Sequence, residues 1–580
     1  MTEEINIRQR PVAVPGHLAP ELHSVLRRVY AARGVSDDRE LELGLARMAP
    51  VSGLKGVSEA AELLHEHISD GSHILIVGDY DADGATSTAL AVLALRAFGA
   101  RKVSYLVPNR FEYGYGLTPE IVALAASRNP DLIVTVDNGI SSLKGVDQAN
   151  RLGIPVLITD HHLPGRALPA ARVIVNPNQP GDDFSSPCLA GVGVIFYVMA
   201  ALFNRLDTQG WFDAAGRPRP APAEWLDLVA LGTISDLVPL DHNNRILVSQ
   251  GLKRIRAGRC RPGILALLEV SRRTPQKIVS ADIGFAVGPR LNAAGRLDDM
   301  SLGIECLLSE SADQARIMAA ELDRLNQLRR ALEQEMKTQA EELLTHSDDW
   351  TGRHLPQGLC LFDERWHQGV TGILASRIKD QYHRPVIAFA DAGEGVLKGS
   401  ARSIPGLHMR DLLDLMASRE PQLISRFGGH AMAAGLSLER SAFERFRECF
   451  EQTLAEQLDP DLLEGVILTD GTLGSEDLNL DLAQQIREAG PWGQGFPEPL
   501  FEGRFAVLQQ RVVGESHLQL VLGYDKGHGS VDAIAFNQPR LAEDVGEIRV
   551  TYRLNVNDFR NRLSLQLIVE TIQSIPKMTN

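Results

Sequence analysis

No run of eighteen or more uncharged apolar residues occurs anywhere in the chain, which removes a membrane-spanning helix from the expected architecture. The opening residues, MTEEINIRQR, carry acids and lack an apolar core, so a secretory signal is not expected either. Five cysteines (Cys188, Cys260, Cys306, Cys360 and Cys449) are widely scattered, without a CxxC pair. That spacing argues against a disulfide scaffold and a cysteine zinc site, and for reduced thiols in the cytoplasm. Missing too are the Walker loop GxxxxGK with Ser or Thr, the GxGxxG loop and the GxSxG nucleophile elbow. Nucleotide binding or acyl transfer by those devices is therefore disfavoured. There is no internal repeat and no low-complexity tract. A formal charge of −15 supplies no general attraction for nucleic acid.

What is present fits a soluble globular chain: 580 residues, 44% hydrophobic and 23% charged, enough for three or four domains. From Gly71 to about Asn176 the short apolar runs HILIV, VSYLV, DLIVTV, PVLIT and RVIV alternate with helical stretches, the pattern of βαβ units and a parallel sheet. Residues 188–270 read as mostly helical. Residues 311–346 contain no Pro or Gly and are rich in Ala, Leu, Glu, Gln and Arg, which predicts one helix about 50 Å long. It reads as a spacer between two lobes, with a coiled-coil dimer as the alternative. After Leu355 the alternation resumes as a second, smaller α/β domain. Beyond about Asp459 short strands such as GRFAVLQQRVV, HLQLVLG, VDAIAF and IRVTYRLNV suggest a small barrel, with an OB-fold leading.

One basic stretch interrupts the acidic background. Lys253, Arg254, Arg256, Arg259, Arg261, Arg272, Arg273 and Lys277 are opposed only by Glu269. A solvated face and a phosphate-binding face are equally good readings of it.

The chemistry concentrates at the ends of the strand candidates. GDYDADG places Asp79, Asp81, Asp83 and Gly84 as in the first half of a calcium-binding EF-hand loop, but the twelfth position is Leu90 rather than Glu, and a strand precedes it where a helix belongs. VDNG brings Asp137, TDHH brings Asp160, His161 and His162, and GTISDLVPL brings Asp236. Each alone is a common turn, loop or helix end. Together they lie in order beyond elements of one sheet domain, where open α/β sheets bind ligands. Oxygen-rich sets with a few imidazoles suit Mg²⁺ or Mn²⁺, and this much negative charge in one cleft calls for two divalent ions. Such a pair can activate water and hold a phosphate for in-line attack.

These motifs resemble the DHH phosphoesterase superfamily, named for a triplet matched here by Asp160-His161-His162, and within it the RecJ family of single-strand-specific 5′→3′ DNA exonucleases. GPRLNAAGRL, WHQGVTGILASR, KGSARS and FGGHAMAAG extend the resemblance over nearly the whole chain. It implies an α/β fold: residues 1–50 an N-terminal extension, 51–270 a parallel-sheet DHH catalytic domain, 271–350 a linker with the long connecting helix, 351–458 a smaller α/β DHH-associated domain, and 459–580 an OB-like β-barrel.

By position, the resemblance makes Asp81 and Asp83 metal ligands, with Asp137 bridging two Mn²⁺ or Mg²⁺ ions. His161 and Asp236 complete the second site. Many members place a His where this chain has Val77, and Asp79 is the substitute. His162 would contact the scissile phosphate as electrostatic stabiliser or proton donor. Arg110, Asn292, Arg296, Ser400, Arg402, Gly428, Gly429 and His430 would grip DNA phosphates, arginine being suited by its bidentate fork. For Arg402 a surface ion pair, and for the two glycines a tight turn, are the plainer readings. Phe111, Tyr113 and Tyr115 offer stacking or core packing. The implied partner is single-stranded DNA with a free 5′ end, beside a single-stranded-DNA-binding protein and a RecQ-type helicase, in recombination and mismatch repair. A monomer, associated with the bacterial nucleoid in the cytoplasm, is expected. A phosphodiesterase or pyrophosphatase for small phosphates, and a catalytically dead DNA-binding scaffold, are the alternatives. The first needs neither this length nor an OB domain, and the second needs lost metal-binding aspartates where this chain keeps the set.

Overall fold

The apolar runs of the first half pair as one parallel sheet: β1 (His73–Gly78), β2 (Lys102–Leu106), β3 (Leu132–Val136), β4 (Val156–Thr159) and β5 (Val173–Val175), in the order β2-β1-β3-β4-β5. The computed structural model describes residues 6–12, 18–109, 116–214, 216–346, 356–514, 516–542, 545–560 and 562–575. Every residue of β1 is buried. Leu75 and Val77 join a core with Leu106, Ile121, Val122, Ile133 and Val146, while the alternate residues Ile74 and Ile76, pointing to the other face, are equally inaccessible. Both faces are therefore covered, as a parallel sheet requires. The chain runs from β1 to β2 on one side and then crosses to β3 on the other. This puts the topological switch point between the carboxyl ends of β1 and β3, where Asp79–Asp83 and Asp137 begin.

Helix α1 (Ala82–Ala97) follows β1 directly and is buried along most of its length. Its sequence, ADGATSTALAVLALRA, supplies the small side chains that let α2 (Gly191–Thr208) and α3 (Leu226–Ser235) pack closely on it. Further on, α4 (Gly288–Leu297) follows a π-helical turn over Ile283–Val287. The predicted long helix is α5 (Ala312–His346), 35 residues. The chain divides into two compact units, and the division falls within α5, between Asp323 and Arg324, and again between Ile467 and Leu468.

The second unit holds a mixed sheet of β6 (Leu359–Phe362), β7 (Val386–Asp391), β8 (Val396–Arg402), β9 (Arg426–Gly429) and β10 (Ala433–Glu439) in the order β9-β10-β8-β7-β6, with α6 (Thr371–Tyr382) against β7 and β8. In the first unit, after α7 (Leu480–Glu488), comes a closed barrel of β11 (Phe501–Val513), β12 (His517–Tyr524), β13 (Gly529–Ala535), β14 (Glu547–Phe559) and β15 (Arg562–Ile575). The first four contain the strands named from the sequence. The fifth, β15, closes the barrel by pairing antiparallel with β14 and parallel with β13.

The basic stretch is largely occupied within the fold. Arg261 sits 3.9 Å from the buried Asp227, Arg273 pairs with Asp282 at 3.1 Å, and Lys277 pairs with Asp558. Arg256 donates to Ile278 O at 2.8 Å. Half of the eight cations thus hold structure, which weakens a continuous phosphate-binding face.

Candidate metal centre

The turn between β1 and α1 carries three aspartates, each held differently. Asp79 accepts the N–H of Tyr80 at 2.8 Å. Asp81 is the N-cap of α1 and accepts Gly84 N–H at 3.0 Å. Asp83 lies inside the first turn, 1% exposed, and its two oxygens accept Gly191 N–H (2.6 Å) and Val192 N–H (3.0 Å) from the start of α2. A helix N-terminus is a natural seat for a carboxylate. Glycine at 191 is sterically required, because a Cβ there would lie 2.6 Å from Asp137 Cβ. Val77, at the position of the family histidine, points into the core instead of toward the aspartates.

At the end of β3, Asp137 adopts a left-handed backbone, φ +62°, a conformation tolerated by Asp and concentrated at functional sites. The adjoining Asn138 donates to Val77 O (3.1 Å) and Val136 O (2.9 Å), clamping the ends of β1 and β3 together. VDNG is thus both a turn and a site. Asp236 ends α3 through its own N–H to Gly232 O at 2.9 Å, and its carboxylate reaches the cluster.

His161 is the hub. Its Nε2 lies 3.0 Å from Asp137, 3.5 Å from Asp236 and 3.9 Å from Asp83. Ligand atoms of Asp79, Asp81 and Asp137 form one group within 4.8 Å of one another, and those of Asp83, His161 and Asp236 form another. A third such group joins Asp137, His161 and His162. His162 Nδ1 is 2.7 Å from Asp160 Oδ1, and the same carboxylate accepts the N–H groups of Ile140, His161 and His162. Asp160 is therefore committed to holding the His162 ring and the backbone of this turn.

The electrostatics fit cations. Burial, then repulsion from Asp81, pushes Asp83 up to about 7 against the bonds from α2. Burial and the neighbouring carboxylates raise Asp137 and Asp236 well above the ordinary range. Buried acids that cannot share one negative cleft are stabilised by divalent ions. The donor set, carboxylate oxygens with one or two imidazoles and no thiolate, suits Mn²⁺ or Mg²⁺. His162 behaves oppositely: burial lowers its pKa, but the bond to Asp160 and the charges of Asp160, Asp236 and Asp79 outweigh it and push it up to about 9.

Comparison with known proteins points the same way. The DHH family N-terminal domain matches residues 73–233, the DHHA1 domain residues 356–456 and the RecJ OB domain residues 469–571. The chain is 54% identical over 581 residues to the single-stranded-DNA-specific exonuclease RecJ of Escherichia coli K12, covering 99% of this chain and 100% of that one. To the Salmonella typhimurium LT2 protein of the same name it is 53% identical over 575 residues, with 99% and 100% covered. The chain belongs to the RecJ family. A crystal structure of Thermus thermophilus RecJ in complex with Mn²⁺ superposes with a TM-score of 0.79 at 32% identity, covering 96% of this chain and 76% of that one. A second, in complex with Mg²⁺, gives 0.72 at 31%, covering 96% and 75%.

The other residues singled out in this RecJ-family chain have varied placements. Arg110, Phe111, Tyr113 and Tyr115 lie outside the described residues. Asn292, read from the sequence as a phosphate contact, accepts Ala82 N–H at 2.8 Å, so its side chain props the aspartate turn. Arg296 lies in the last turn of the same helix, α4. Gly295 brings α4 against that turn, since a Cβ there would lie 1.7 Å from Tyr80 O. Nothing local in the sequence announces the Asn292 bond or the α2 bonds to Asp83, although the AGVG run at the start of α2 marks a close approach.

In the second unit, Arg402 is not a surface ion pair. It is half-buried, and desolvation lowers its pKa with no carboxylate charge to offset it among the described residues. It donates instead to Ser376 Oγ (3.1 Å) and Ala401 O (2.8 Å). Ser400 Oγ is 3.1 Å from Thr371 Oγ1. The two glycines differ. Gly429, φ +145°, is demanded by the hairpin, where a Cβ would meet Ala433 O at 2.4 Å, whereas Gly428 has open space beside it. His430 is exposed, and its N–H closes that hairpin on Ala433 O at 2.8 Å.

Proposed function

We propose that this RecJ-family chain is a 5′→3′ exonuclease that hydrolyses single-stranded DNA by a two-metal-ion mechanism, in recombination and mismatch repair. The observation that carries the reading is the pair of ligand groups, Asp79–Asp81–Asp137 and Asp83–His161–Asp236, that meet where His161 Nε2 lies 3.0 Å from Asp137. Its RecJ relatives are named single-stranded-DNA-specific exonucleases, and two solved ones hold Mn²⁺ or Mg²⁺.

In this reading Asp79, Asp81 and Asp137 would hold one divalent ion, and Asp83, His161 and Asp236 would hold the other, with Asp137 close to both groups. Bound there, the ions neutralise the carboxylates and polarise a phosphodiester for in-line attack by water. The chain's own residues supply the rest. The helix N-terminus at Gly191 and Val192 fixes Asp83, and Asn138 fixes the separation of the β1 and β3 ends. Asp160 holds His162 by Nδ1, which leaves Nε2 to meet the phosphate. Held by Asp160, a protonated His162 would stabilise the charge that develops on the phosphoryl oxygens, or give its proton to the 3′ oxygen as the P–O3′ bond breaks. Arg402, a half-buried guanidinium that no carboxylate pairs with among the described residues, is the group best suited to a DNA phosphate in the second unit, with Ser400, Gly428 and His430. Arg110 and Arg296 are further phosphate contacts. The barrel serves as a sequence-independent platform for single strands. A single-stranded-DNA-binding protein and a RecQ-type helicase would act beside it in the cytoplasm, at the nucleoid.

The test is degradation of single- and double-stranded DNA labelled at either end, with Mn²⁺, Mg²⁺ or EDTA. Label should leave first from 5′ ends of single strands, and only with metal. Prior release of 3′ label, or equal attack on duplex, would overturn the reading.

A further inference from the structure

Among the described residues, the three most accessible large apolar side chains are Phe285 (76%), Ile317 (72%) and Leu237 (69%). Two of them, Phe285 and Leu237, belong to segments that meet at the C-terminal end of α3, next to Asp236. Leu237 directly follows Asp236, whose carboxylate lies 3.5 Å from His161. Phe285 sits in the π-turn Ile283–Val287, and that turn packs on the same end of α3. A Cβ on Gly284 would lie 3.4 Å from Ile234 Cγ2, and one on Gly288 2.5 Å from Ser235 Oγ. A few residues on, Asn292 bonds the aspartate turn itself.

The backbone at both positions is irregular. Leu237 has φ +61°, a left-handed conformation that a leucine rarely adopts. The π-turn is a rare helical form, frequent at functional sites. Single exposed apolar residues are ordinary. Two on segments packed at the same end of α3, each on irregular backbone and one of them next in sequence to the candidate ligand Asp236, call for an occupant.

We infer that Phe285 and Leu237 form an apolar step that takes a nucleobase of the DNA strand next to the scissile phosphate, Phe285 by stacking and Leu237 by contact with the base or sugar face. This rests on the single-strand exonuclease reading. The argument for a base is chemical. A phosphodiester held by the carboxylate cluster must carry a base on each flanking sugar, in a single strand those bases are unpaired, and every base has a π-face. A side chain that meets faces rather than edges discriminates little among sequences, as an exonuclease that must degrade any strand requires.

The test compares single-stranded oligonucleotides bearing ordinary bases with ones carrying tetrahydrofuran abasic residues at the first positions of the 5′ end. For each, kcat/KM is measured with wild type, Phe285→Ala, Phe285→Trp and Leu237→Ala. The preference of the wild type for base-bearing over abasic DNA should fall about tenfold in Phe285→Ala and by less in Leu237→Ala, and Phe285→Trp should restore it. In Phe285→Trp, tryptophan fluorescence in EDTA, after subtraction of the wild-type signal, should be quenched by oligothymidylate and unchanged by abasic oligomer. Because Phe285 is exposed, the variants are expected to fold, and their thermal transitions check this. An unaltered base preference in Phe285→Ala overturns the step. A wild type that degrades no single-stranded DNA overturns the exonuclease reading instead, so the two failures are distinguishable.

Discussion

Asp137 has a backbone in a left-handed conformation, a carboxylate 3.0 Å from His161, and a charge that burial and its neighbours disfavour. Asparagine keeps its shape and removes that charge, so Asp137→Asn separates fold from chemistry. Cleavage of single-stranded DNA should fall at least about 10³-fold, the order expected from losing several kcal/mol of metal-derived stabilisation. The metal-free protein should nevertheless melt higher than wild type, because a carboxyl whose pKa is raised by folding destabilises the folded state when ionised. Mn²⁺ should raise the melting temperature of wild type and do so far less in the variant. Differential scanning fluorimetry with and without EDTA checks both. Arg402 poses the complementary case. Arg402→Ala should raise KM for 5′-phosphorylated single strands about tenfold, as expected when a charge-assisted hydrogen bond to phosphate is lost, and leave the Mn²⁺-dependent melting shift intact. Steady-state kinetics beside the same melting assay decide it, and an unchanged KM would remove Arg402 from the phosphate contacts.

At the scale of elements, the site is a strand-to-helix turn gripped by two helices remote in sequence. The N-terminus of α2 holds Asp83 across 108 residues, and Asn292 of α4 holds Ala82 N–H across 210. Asn292→Ala should cost about 1 kcal/mol of stability, the worth of a net hydrogen bond. It should lower kcat more than it weakens DNA binding, because it loosens the turn rather than a phosphate contact. Chemical denaturation and fluorescence-anisotropy titration with labelled single strands separate these. This also explains what the sequence disclosed. That Asp79, Asp81, Asp83, Asp137 and His161 come together is legible because they follow apolar runs that end at the carboxyl edge of one sheet, where such folds bind ligands, and Asp236 joins them from the end of helix α3. Asn292 and Gly191 were not legible as props, since their partners lie far along the chain and neither interrupts a local pattern. Arg402 could be named from its motif, but whether it was buried or on the surface depended on the packing of α6 against β8. The fifth barrel strand has the alternation of a strand, and only closure of the barrel gives it partners on both sides.

At the scale of the whole molecule, the chain beyond Leu468 does two separable things. Only from Phe501 does it form the barrel; before that it is strapped to the catalytic domain. Arg33 and Asp470 make a bidentate pair at 2.7 and 3.1 Å, with side chains 1% and 0% exposed, and Arg33 also donates to Pro497 O at 2.7 Å. Trp492 stacks on Phe496, with ring centroids 5.2 Å apart, and both lie against Tyr30. Ser280 donates to Trp492 O at 2.6 Å, and Leu240 N–H, four residues past Asp236, donates to Gln494 O at 2.7 Å. Removing one partner of a buried ion pair costs about 3–5 kcal/mol, a large part of the 5–15 kcal/mol that typically separates folded from unfolded chains. A chain ended after Glu498 should therefore keep a cooperative thermal transition and metal-dependent cleavage of single strands, with DNA affinity reduced by loss of the barrel. One ended after Ile467 should lose the transition or aggregate, because Arg33 is left buried without its carboxylate and Tyr30 without its aromatic partners. Circular dichroism melts of the two truncations, with anisotropy binding for the longer one, test this directly. Equal stability of the two would mean that the strap contributes nothing to the catalytic domain.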